Sequence, residues 1–182
     1  MKLTASQLRR IIKEEVEAAM VQEPAPQEQG SMLVDAMGQL IPSVRAAQLW
    51  FHGAHNLTKG VGFAGDHTTL FGGIYPALEA QFDGLVEKAI GNTGVEELGC
   101  PVHITQAAAE ILGQMECLTN KPADQIVREG LVVLQGHHDL LSDVFSSLDE
   151  AGELPLGLND LLAAQANELE TFLYLLQQRA KV

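Results

Sequence analysis

Apolar residues recur every three or four positions through four long stretches of this chain, and no window alternates apolar and polar residues for the length of a strand. A chain patterned this way buries one stripe of each helix against the others, so the sequence specifies an all-α bundle. The first stretch runs from about residue 32 to residue 55, with Met37, Ile41, Val44 and Phe51 on its stripe and Pro42 as an expected kink. A glycine-rich turn over residues 60–65 ends it, and Asp66 is placed to cap the second stretch, which carries Leu70, Ile74, Leu78, Leu85 and Ala89 to about Gly91. The third begins near residues 120–122 and carries Val127, Leu131, Leu134, Leu141, Phe145 and Leu148. Gly152 and Pro155 separate it from the fourth, with Leu158, Leu162, Leu169, Phe172 and Leu176 facing inward. The connection between the second and third is long enough to hold a short helix of its own, around residues 104–116.

Ahead of the bundle, residues 1–22 read as a separate amphipathic helix. Thr4 and Gln7 form a capping box, Leu3 and Leu8 sit at staple spacing, and Leu8, Ile11, Ile12, Val16, Ala19 and Met20 follow at helical period. Residues 23–31, polar and containing Pro24 and Pro26, read as a linker, which leaves residues 32–182 for the bundle. A helix of this length is marginal alone in water, so its stripe is expected to pack on its own assembly or to dock to a partner.

The formal net charge is −13. Beyond residue 31 there are seven Lys and Arg against nineteen Asp and Glu, and the first 31 residues hold four against five. Phosphate neutralisation dominates non-specific DNA affinity, so a nucleic-acid partner is not expected. A cation is. No run approaches the roughly 20 apolar residues of a membrane span, and the first residues show no secretory signal. Cys100 and Cys117 have no metal or redox spacing and read as free thiols, with the cytoplasm as the expected compartment.

The chemistry concentrates between His55 and Glu87. His55 ends the first helical stretch, His67 lies near the start of the second, and Glu79, Asp83 and Glu87 follow at four-residue intervals, which places the three carboxylates on one helical face. By themselves such carboxylates describe a solvated face. Imidazole and carboxylate together suit Fe(II), which accepts borderline nitrogen and hard oxygen ligands. No glutamate is followed three residues later by histidine, so a di-iron centre inside the bundle is not expected. In the pair His137–His138, His138 falls on the stripe of Leu131, Leu134 and Leu141 and reads as a hydrogen-bonded core histidine.

The segment from His55 to Glu87 resembles the signature of the Dps family (DNA-binding proteins from starved cells), and residues 158–176 resemble that family's last helix; the likeness spans about residues 32–180. It implies a ferritin-like four-helix bundle, with His55, His67, Asp83 and Glu87 as ferroxidase ligands. It also implies iron as substrate and stored mineral, a dodecamer built from two-fold dimers, and hydrogen peroxide as favoured oxidant. Three departures stand out. Asn56 occupies a place where tryptophan is common, Phe71 a place where an acidic residue is common, and the interval from His67 to Asp83 is one residue longer. The extra residue reads as a bulge in the second helix. The alternative is a ferritin-like shell or virion-associated structural protein without ferroxidase activity.

Helix geometry makes one further demand. His67 and Asp83 are 16 residues apart, about 24 Å along an α-helix, whereas ligands of one ion lie about 2.1 Å from it. An antiparallel two-fold pairing, with one subunit's histidines against the other's Asp83 and Glu87, removes the conflict and creates two equivalent sites.

Overall fold

The computed structural model describes residues 32–181, so the helix expected at residues 1–22 and the linker expected at 23–31 lie outside the described residues. Five long helices make up the described part, and no strand occurs in it. They are α1 (Met32–Leu57), α2 (Gly72–Thr93), α3 (Pro101–Leu112), α4 (Ala123–Ala151) and α5 (Leu156–Ala180). A single turn (Phe63–Gly65) and a π-helical turn (Asp66–Phe71) lead directly into α2. None of these helices is long and apolar enough to cross a membrane.

α1, α2, α4 and α5 pack on one another around Met37, Leu40, Phe51, Phe71, Leu85 and Leu134, and α3 lies in the connection between α2 and α4. α1 runs antiparallel to α2, with His52 beside Tyr75 and Arg45 beside Phe82. α2 runs antiparallel to α5, with Gly73 beside Phe172 and Gly84 beside Leu161. A polar link joins these two helices in mid-bundle: Gln81 Nε2 donates to Glu168 at 2.8 Å, and Gln165 Nε2 donates to the Gln81 carbonyl at 3.1 Å. Pro42 sits inside α1 without ending it.

Two expectations are corrected here. Asp66 does not cap the second helix; it lies within the helical turn and is 3% exposed. Its carboxylate is held by Arg179 from the end of α5, Nε to Oδ1 at 2.9 Å and Nη2 to Oδ2 at 3.0 Å, and the same guanidinium reaches Asp124 at 2.9 Å. Burying a charge is costly unless it is paired, and this fork-on-fork contact supplies the pair. A side chain on Gly62 would meet Asp66 Oδ2 at 2.8 Å and Arg179 Nη2 at 2.9 Å, so the glycine lets the loop close over the ion pair.

The second correction concerns the histidines of α4. The buried, hydrogen-bonded one is His137, 3% exposed and 3.0 Å from Ser43 Oγ through Nδ1. His138 makes no hydrogen bond through either ring nitrogen. Burial, reinforced by the neighbouring His138, pushes the His137 imidazole down to about 4, so it is neutral in the folded protein near neutral pH.

Candidate metal centre

α1 ends at Leu57, which leaves its last carbonyls without partners inside the helix. The chain turns back at once and enters the π-helical turn, where the Gly72 N–H bonds the carbonyl of His67 five residues earlier. This is the bulge expected in the second helix. Both events leave a carbonyl within reach of an imidazole. His67 Nδ1 lies 2.7 Å from the His55 carbonyl, and His55 Nδ1 lies 2.7 Å from the His67 carbonyl. A carbonyl only accepts, so in each ring Nδ1 carries the proton. In the neutral form of each ring the lone pair is then on Nε2, which is the form a metal binds.

The two rings stack, with centres 3.8 Å apart and planes 19° from parallel. Phe63 covers the outer face of His67 at 4.8 Å, and Tyr75 stands 5.1 Å from His55. Gly72 is the residue that admits this arrangement. A Cβ there would meet the His67 carbonyl oxygen at 2.6 Å and His55 Nδ1 at 3.5 Å.

Phe71 is not at the site. It is fully buried, with its ring 6.2 Å from that of Phe51. The π-helical turn rotates the register by one residue, so the position four after His67 points into the core and Gly72 takes its place beside the imidazoles.

Glu79, Asp83 and Glu87 lie along the exposed face of α2, and among the described residues none of them makes a hydrogen bond or an ion pair. Glu79 and Asp83 line a groove of about 730 Å³ between α2 and α3, together with Arg45, Phe82, Pro101 and Ile104. Within one chain the described residues bring no three His, Cys, Asp or Glu together as a metal cluster. The structure thus joins His55 to His67 and places the carboxylates farther along α2, apart from them.

Four antiparallel helices, with a short helix in the long middle connection, define a ferritin-like bundle of the miniferritin type. Solved Dps structures share it. The tetragonal form of Mycobacterium smegmatis Dps is 19% identical, with a TM-score of 0.66 over 79% of this chain and 82% of that one. Dps from Thermosynechococcus elongatus is 16% identical, with a TM-score of 0.63 over 80% and 88% of the two chains. Helicobacter cinaedi CAIP is 17% identical, with a TM-score of 0.64 over 81% and 99%. No family model and no curated protein matches the chain. At these identities the likeness establishes the fold.

Proposed function

We propose that the chain is the subunit of an iron-oxidising, iron-storing miniferritin, in which Fe(II) is the substrate and His55, His67, Asp83 and Glu87 hold it. One observation carries this reading: the reciprocal Nδ1–H bonds of His55 and His67, which leave both Nε2 atoms ready to bind a metal. An imidazole lone pair lies in the plane of its ring. Rings whose centres are 3.8 Å apart and whose planes are 19° from parallel do not converge on an ion about 2.1 Å from each nitrogen. Each ring therefore serves its own ion, as in a two-metal site.

The carboxylates come from a second copy of the chain. Antiparallel pairing sets one subunit's histidines against the partner's Asp83 and Glu87, with Glu79 on the same acidic stripe. Hard carboxylate oxygens favour the ferric product. Two Fe(II) ions surrender one electron each, hydrogen peroxide takes both as its O–O bond breaks, and the oxygens leave as water after proton uptake. Six such dimers closing into a hollow dodecamer would hold the ferric mineral inside. The acidic balance of the chain favours cations over nucleic acid.

The test is iron oxidation by the purified assembly with limiting hydrogen peroxide. The wild type should accelerate oxidation well above buffer, and His55→Ala/His67→Ala should lower the rate about 100-fold while helicity is retained. A wild type no faster than buffer would favour a purely structural shell.

A further inference from the structure

His52 is the one histidine near the stacked pair that the proposed site leaves unused. It stands one helical turn before His55 on α1, on the exposed side. Its ring stacks on Tyr75, with centres 4.6 Å apart and planes 21° from parallel. Tyr75 also flanks His55, so Phe63, His67, His55, Tyr75 and His52 form a continuous row of rings. Asn56 bonds the His52 carbonyl at 3.0 Å, whereas the His52 ring nitrogens meet no partner among the described residues. An exposed imidazole is thus held in one orientation with both nitrogens open.

The ring centres of His52 and His55 are 6.5 Å apart and tilted by 37°. Two imidazoles on one tetrahedral ion, each nitrogen about 2.1 Å from the metal, have centres only about 5 Å apart. As they stand, the His52 and His55 rings therefore do not meet at one tetrahedral ion.

The helix register says what stands opposite. In α1 and α2, His52 is level with Tyr75 and Arg45 with Phe82, so Glu79 is level with residue 48. Pairing two subunits with His55 against the partner's Asp83 and Glu87 sets the two-fold axis close to that level. His52 lies one turn nearer the axis than His55. It then meets the partner's α2 between Asp83 and Glu79, on the wall of the groove these two residues share with Arg45. We infer that His52 and the partner's Glu79 form a separate loading site for a divalent cation, one helical turn from the His55–His67 pair. The inference rests on the two-subunit reading above. One nitrogen and one carboxylate, completed by water, suit a borderline divalent ion such as Fe(II) and bind it more weakly than the main site. Such a site passes ions from the axis toward the stacked histidines.

Cobalt(II) titration of the full-length assembly separates the two sites by calorimetry and visible absorption. The wild type should show a tight and a weak class. His52→Ala and Glu79→Gln should each weaken the same weak class about tenfold or more and leave the tight class in place. His55→Ala/His67→Ala should remove the tight class and keep the weak one. If His52→Ala impairs assembly, His52→Gln keeps the side-chain volume and should give the same loss. A His52 variant that assembles and titrates like the wild type overturns the loading site while leaving the main site standing. A tight class that survives loss of both His55 and His67 overturns the main site itself.

Discussion

The molecule contains two pairs of histidines, and they behave in opposite ways. His55 and His67 are twelve residues apart in sequence yet stack at 3.8 Å, each ring fixed by the other's backbone. His137 and His138 are adjacent in sequence and share nothing of the kind. On a helix, neighbours point about 100° apart, so one enters the core and reaches Ser43 while the other lies toward Glu170 on α5, 3.6 Å away. What makes a site is the pair of carbonyls left over by a helix end and a π-helical turn. Those carbonyls fix which tautomer each neutral ring adopts. The α4 pair is assigned to stability and the α1–α2 pair is proposed for chemistry, and substitutions should separate the two.

The largest effect on stability is expected at the ion pair that secures the histidine turn to α5. Arg179→Ala strands the Asp66 carboxylate, whose side chain is only 4% exposed, and should cost about 3–5 kcal/mol in urea unfolding at fixed protein concentration. A loss under about 1 kcal/mol would mean that the turn is held by packing alone.

His137 comes next. Its imidazole titrates near 4 in the folded protein and near 6.5 when unfolded, so between those values the unfolded chain binds more protons. Stability is therefore whole above about pH 6.5 and declines as pH falls toward 4, by up to about 3 kcal/mol. His137→Gln should flatten that slope and leave iron oxidation unchanged. An unchanged slope would move the acid sensitivity to another group.

Gly72→Ala sharpens the contrast from the other side. The added methyl group presses on the His67 carbonyl and the His55 ring, and oxidation should fall about 10–100-fold. Gly65→Ala, with open space around the new carbon, is the control. Equal rates in the two variants would show that the reciprocal hydrogen bonds are dispensable.

Much of this was legible in the sequence. Apolar period gave the four helices, and the extra residue before Asp83 announced the bulge. Where the bulge falls was not legible. A π-helical turn at Asp66–Phe71 moves Phe71 into the core, and the residue set beside the imidazoles is Gly72. Asp66 reads as a helix cap from local spacing, because its true partner, Arg179, is 113 residues away. Either α4 histidine fits a helical stripe, and only the docking of α1 through Ser43 decides that His137 is the buried one. No local pattern signals the ring row that includes His52 and Tyr75, since it arises from the antiparallel contact of two helices.

The central claim is that the metal centre needs two subunits, and complementation tests it directly. A His55→Ala/His67→Ala subunit and an Asp83→Ala/Glu87→Ala subunit should each assemble into inactive protein. Co-assembled, each mixed dimer regains one intact site and loses the other, so iron oxidation should return to a substantial fraction of the wild-type rate. Co-assembled subunits that recover no oxidation would contradict a shared site.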